Sequence, residues 1–199
     1  MPHSNGPRDP AVAAPQVSFD DEPLILVDEE DRELGYSEKW ECHRGEGLLH
    51  RAFSIFLFNG RGEVLLQQRS DEKPLWPLVW SNACCSHPRR GESLEGATRR
   101  RLLEELGVQT EIERVFSFSY HARWRDVGSE RELCHVYLGT WDGEVEVNPR
   151  EVAEIRWVSS ADLDEEIARA PEDLSPWMKL EWSRLKEEHP DLLARYLAS

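Results

Sequence analysis

The chain is short of several things at once. No apolar run approaches the roughly 20 residues of a membrane-spanning helix, so the sequence offers no candidate span. Its four cysteines (Cys42, Cys84, Cys85 and Cys134) form no CxxC pair and no dense framework. That excludes a zinc ribbon and a disulfide-stapled scaffold, and a reducing, cytoplasmic setting is the simpler account. The N-terminus lacks the apolar stretch of a secretory signal. Positive charge is also scarce: 24 Lys+Arg face 39 Asp+Glu, for a formal net charge of −15. This balance argues against a general nucleic-acid binder, which needs a basic stripe to displace counterions. It argues equally against docking on an anionic membrane face. Of the two cations lysine is the scarcer, with only Lys39, Lys73, Lys179 and Lys186. A salt-rich cytoplasm and Arg-rich codon usage account for that equally well.

What is present fits a folded domain. A chain of 199 residues with 39% hydrophobic content and eight Trp can bury a core without covalent staples. Residues 1–22, with Pro2, Pro7, Pro10 and Pro15 among small and polar residues, read as a flexible extension. Residues 23–199 read as one domain. Leu24–Val27, Arg51–Phe58 and Val64–Gln67 are strand candidates, the last two joined as a hairpin through Asn59-Gly60-Arg61-Gly62. Leu75–Asn82, with two Trp around Pro77, reads as a packed loop. Further strands are expected at Val115–His121, Leu133–Trp141 and Ile155–Val158, and helices around Ala161–Ala170 and Trp177–Leu197. The order is α+β rather than alternating βαβ.

The helix expected at Ser93–Leu106 has a capping Ser93, a stop at Gly107 and a buried stripe of Leu94, Thr98, Leu102 and Leu106. It also breaks a rule. Glu104 and Glu105 occupy its last turn, where the macrodipole disfavours carboxylates, behind Arg99, Arg100 and Arg101. Such violations tend to mark function. Glu92, Arg100, Glu104, Glu105 and Gly107 within SHPRRGESLEGATRRRLLEELGV resemble a Nudix box, the loop–helix–loop that places carboxylates on a diphosphate-bound cation. The resemblance implies a Nudix-type mixed sheet with a central loop–helix–loop and flanking terminal helices. Ser86 stands in place of the opening Gly, and Arg101 stands where a metal-binding Glu belongs. A cation replaces an anion beside the site, which depletes the hard oxygen ligands for Mg²⁺.

The stretches HRGEGLLHRAFSIFLFN, QQRSDEKPLWPLVWSNACCSHP, ERELCHVY and LSPWM, with the altered box, narrow the resemblance to the type I isopentenyl-diphosphate isomerases. They occur in the right order across residues 43–178. The resemblance implies a first metal site at His43, His50, His87, Glu130 and Glu132. Imidazoles and carboxylates together suit Mn²⁺ or Zn²⁺ better than Mg²⁺, and Glu130 and Glu132, two apart, share a strand face. It implies a second ion, Mg²⁺, on Glu105, the Cys85 carbonyl and substrate phosphate, with Arg69, Lys73 and Arg101 clamping the diphosphate. The resemblance assigns the acid–base pair for moving a double bond to Cys85, expected as a thiolate, and to Glu132, helped by Tyr120, with Trp177 expected to face the cation that forms. Two other functions fit a Nudix-like chain: a metal-dependent diphosphohydrolase and a non-catalytic diphosphate sensor. An intact Cys85, Tyr120 and Glu132 set argues against both.

Overall fold

The computed structural model describes residues 14–198. Nine strands form one mixed sheet: β1 (Pro23–Val27), β2 (Glu33–Glu38), β3 (His50–Phe58), β4 (Val64–Arg69), β5 (Trp80–Asn82), β6 (Cys84–Ser86), β7 (Ile112–Trp124), β8 (Gly128–Thr140) and β9 (Val152–Val158). The helices are α1 (Lys39–His43), α2 (Leu94–Leu106), α3 (Ser160–Arg169), α4 (Pro176–Glu188) and α5 (Pro190–Leu197).

Strand β3 is the axis. It pairs parallel with β8 on one side and antiparallel with β6 on the other. Alternate side chains of a strand face opposite layers, and β3 is buried on both. Phe53, Ile55 and Leu57 pack with Ala97, Leu102 and Leu106 of α2. Ala52, Phe56 and Phe58 pack with Leu163 of α3 and with Trp177, Met178 and Trp182 of α4. The sheet is thus the middle of three layers. Helix α2 begins where Ser93 Oγ accepts from the Gly96 N–H at 3.1 Å and ends at Gly107, whose φ of 66° is left-handed.

Four expectations change. The Asn59–Gly62 turn forms, but β3 and β4 pair only at Phe58↔Val64. The strands then splay because each finds other partners: β4 joins β5 and β9. The Leu75–Asn82 loop ends in a short strand, β5. The final helix is broken at His189, since Pro190 has no N–H to continue it. Part of the stretch expected as a flexible extension, residues 1–22, is packed onto the body. Its first 13 residues lie outside the described residues, while Asn148 Nδ2 donates to Pro15 O at 2.9 Å. Arg101 Nη1 and Arg89 Nη2 both donate to Val17 O, at 3.1 and 3.0 Å. Buried Arg101 needs acceptors, and this segment supplies one.

Leu102, 1% exposed, should lose about 2–5 kcal/mol on replacement by Ala. Its neighbour Leu103, 48% exposed, should lose no more than about 0.5 kcal/mol. Urea unfolding of L102A and L103A checks the contrast, and equal losses would contradict the layer assignment.

Candidate active site

The five expected ligands come from four elements. His43 closes α1, His50 opens β3, His87 follows β6, and Glu130 and Glu132 stand on one face of β8. The parallel register sets His50 opposite Glu132. One potential ligand atom from each of the five lies within 4.8 Å of the others. The three imidazoles form a triangle with centroids 4.8, 4.8 and 5.2 Å apart.

The hydrogen bonds around them fix which ring atoms point inward. His43 Nδ1 lies 2.6 Å from Lys39 O, and His50 Nδ1 lies 2.7 Å from Leu48 O. A carbonyl only accepts, so each Nδ1 carries the hydrogen and each Nε2 keeps a lone pair. Among the described residues, buried His50 Nε2 and Glu130 Oε2 have no hydrogen-bond partner; the latter is 2.8 Å from His43 Nε2 but off the hydrogen-bond line. Leaving such atoms unpaired costs about 1–3 kcal/mol each. Burial, then His50 and His43, hold the His87 pKa well below the usual imidazole value, which keeps it a neutral donor. Burial opposes charge on Glu130 and Glu132, but the neighbouring imidazoles outweigh it and keep both below the usual carboxylate range. His87 Nε2 lies 2.8 Å from Glu132 Oε1, a hydrogen bond that a metal ion would displace; three imidazole nitrogens and two carboxylates then form a donor set that fits a divalent metal.

The cluster opens into a cavity of about 320 Å³. His43, His87, Glu130, Glu132, Tyr120, Cys85 and Trp177 line it, together with Arg69, Lys73 and Arg101. His50 sits behind this wall, fully buried. Tyr120 Oη donates to Glu132 Oε2 at 2.5 Å. Burial and that carboxylate push the phenol well above its usual pKa, so it keeps its proton. Cys85 is pushed up to about 12, first by burial and then by Glu181. The expected thiolate is therefore a thiol at neutral pH in this setting.

The cations of the cavity rest on carboxylates. Arg101, 3% exposed, donates to Glu105 Oε1 at 2.7 Å and to Glu151 Oε2 at 2.8 Å. Lys73 also bonds Glu151. Burial opposes ionisation of Glu151, but Lys73 and Arg101 bring it down to about 2. Arg69 donates to the Trp76 and Leu75 carbonyls at 3.0 and 2.9 Å, with its guanidinium 5.3 Å from the Trp177 ring centre. Glu105 departs from expectation. It lies behind Arg101, accepts from Gln67 Nε2 at 3.3 Å as well, and does not line the cavity.

Lys39 and Glu151 are among the cavity residues that escaped the sequence reading. Lys39 bonds Ser18, and burial followed by Lys73 lowers its pKa to about 8. Its signal was available: one of four lysines, one helical turn before His43. Glu151 carried none, being one acid among 39.

Residues 48–180 match the NUDIX domain family. An isopentenyl-diphosphate Delta-isomerase 1 of Photorhabdus laumondii is 41% identical over 174 residues, 86% of this chain and 99% of that protein. An isopentenyl-diphosphate Delta-isomerase of Nocardia farcinica is 45% identical over 157 residues, 78% of this chain and 90% of its own. The chain belongs to the isopentenyl-diphosphate Delta-isomerase family, within the NUDIX fold. A crystal structure from Deinococcus radiodurans has the same fold, with a TM-score of 0.62 and 25% identity, covering 75% of this chain and 90% of that one.

In this isomerase-family chain the altered box has a structural reading. Arg100 grips Glu92 at 2.7 and 2.8 Å and Glu104 at 3.0 Å, which braces the loop before α2. Backbone approach matters at one further point. A Cβ on Gly128 would stand 2.5 Å from His43 O. Gly128→Ala should therefore displace His43 and weaken metal binding by about 10–100-fold, the scale of lost ligand support. His87→Ala combined with Glu130→Ala should lower bound divalent metal measured by elemental analysis. Full occupancy in the double variant would mean that the ligands are wrongly identified.

Proposed function

We propose that this chain interconverts isopentenyl and dimethylallyl diphosphate by a reversible 1,3-allylic proton shift. The observation that carries the reading is the placement of Cys85 and the Tyr120–Glu132 pair on one cavity from strands on opposite sides of β3. The two substrates differ only in double-bond position, so one proton must be added and another removed. Two acid–base groups reaching one five-carbon unit suit that task, and a hydrolase or a sensor has no use for them.

Tyr120 and Glu132 deliver a proton to the terminal alkene carbon, leaving a tertiary cation. Cys85 must first lose its thiol proton; as a thiolate its Sγ then takes a proton from the carbon beside the cation and is a thiol again, and those C–H electrons form the new double bond. The reverse reaction exchanges the roles. The Trp177 ring stabilises the cation by about 2 kcal/mol when desolvated. General acid–base help contributes a factor of about 10²–10⁴. Holding the substrate in place contributes up to about 7–11 kcal/mol, so anchoring outweighs the aromatic term.

Anchoring falls to Arg69, Lys73 and Arg101, joined by Lys39. These four provide a local reversal of the field of a chain with net charge −15. His43, His50, His87, Glu130 and Glu132 would hold Mn²⁺ or Zn²⁺. Glu105 and the Cys85 carbonyl would hold Mg²⁺ with the substrate diphosphate. Bound divalent ions supply charge neutralisation and orientation. No helix of the described chain is long and apolar enough to cross a membrane, which agrees with a small-molecule substrate met in solution.

Proton NMR of isopentenyl diphosphate in D₂O, with Mg²⁺ and Mn²⁺ or Zn²⁺ supplied, tests this reading. The expected result is dimethylallyl product carrying solvent deuterium. Released phosphate would indicate hydrolysis, and unchanged substrate would indicate a sensor. Cys85→Ala and Glu132→Gln should each abolish turnover, and a normal rate in either would sink the mechanism.

A further inference from the structure

One buried acid has no part in the chemistry above. Glu181 of α4 is fully buried against the sheet. Ser54 Oγ of β3 lies 2.7 Å from its Oε2, and Cys134 Sγ of β8 lies 3.5 Å from its Oε1. The same Ser54 Oγ is 3.3 Å from Cys85 Sγ and accepts from Asn82 Nδ2 at 2.7 Å. A serine hydroxyl owns one hydrogen. Ser54 can give that hydrogen to Glu181 or to Cys85, but not to both. The outcome depends on whether the Glu181 carboxyl is itself a donor.

We propose that Glu181 is a positioning residue for Cys85: as a carboxylic acid it donates to Ser54 Oγ and so turns the serine hydroxyl onto the cysteine sulfur. This rests on the acid–base role given to Cys85 above. Cys85 Sγ is also 3.1 Å from Asn82 Oδ1, so the sulfur has two different neighbours for its two states. As a thiol it donates to Asn82 Oδ1; with its proton gone it accepts from Ser54. A buried sulfur anion without a donor is strongly disfavoured, and Ser54 oriented by Glu181 supplies one.

The surroundings favour the acid form. The groups facing Glu181 are Ser54 of β3, Cys134 and the Glu132 carboxylate of β8, and Cys85 of β6 one hydrogen bond farther. Burial pushes its pKa up to about 8, against the Ser54 and Cys134 hydrogen bonds, with Glu132 adding to the rise. Below that pH the carboxyl holds its proton and the chain of donors runs toward sulfur. Above it the proton leaves to solvent, the Ser54 hydrogen swings to the carboxylate, and Cys85 gains an anionic neighbour in place of a donor. Turnover should then fall on the alkaline side.

The test measures isomerisation against pH for wild type, E181A and E181Q. E181A removes the donor and should lower kcat at pH 7 by about tenfold, the worth of one hydrogen bond to a charged group, with KM nearly unchanged. E181Q should recover much of that loss, because an amide N–H also donates to Ser54, and should lack the decline near pH 8. An alkaline limb that persists unshifted in E181Q would overturn the proposal, as would wild-type kcat in E181A. Infrared spectroscopy supplies a readout that does not need turnover. Wild type at pH 7 should show the C=O stretch of a protonated carboxylic acid that is absent from E181Q, and a wild-type spectrum without that band would also overturn the proposal. If wild type shows the band yet does not isomerise the substrate, the functional reading fails and not the state of Glu181.

Discussion

His50 stands opposite Glu132 because β3 and β8 run parallel in one register, and most of the site follows from that pairing. Strand side chains alternate faces, so a slip of one residue would turn Glu130 and Glu132 away from the imidazoles. The same strand pairs Ser54 with Cys85 on its other edge. One strand therefore holds the His/Glu cluster and the cysteine in a fixed relation, and the apolar layers on both its faces resist any shift. His50 is the junction: it begins the strand, joins the His/Glu cluster and is wholly buried.

The second requirement is electrostatic. An acidic chain must present cations to an anionic substrate without letting its own carboxylates fill the cavity. It does this in layers, with Glu105 and Glu151 behind Arg101 and with Glu151 also holding Lys73. The carboxylates hold the cations in place from behind and leave the substrate to compete for the front. Acid residues that would repel a diphosphate at the surface here keep the guanidinium and ammonium groups oriented.

Much of this was legible in the residues. The helix from Leu94 to Leu106 announced itself by a cap, a stripe and a glycine stop, each a local signal. The Glu130–Glu132 spacing gave their shared face once a strand was assumed. The splayed β3 and β4 were not legible, because a turn motif says nothing about which partners the strands find later. Glu181 was hidden for a related reason: in sequence it is one more acid on an amphipathic helix, and only the sheet packed against it makes it buried. Lys39 is readable from its spacing to His43 and its rarity, but its burial depends on contacts such as Ser18, which lies in a stretch that reads as a tail.

That stretch has a practical side. Gln16, Ser18 and Asp20 form part of the cavity wall, and the backbone of Val17 satisfies a buried arginine. Trimming the chain at residue 22 to obtain a tidier domain would therefore remodel the cavity mouth. A purification tag joined there would hang beside that mouth.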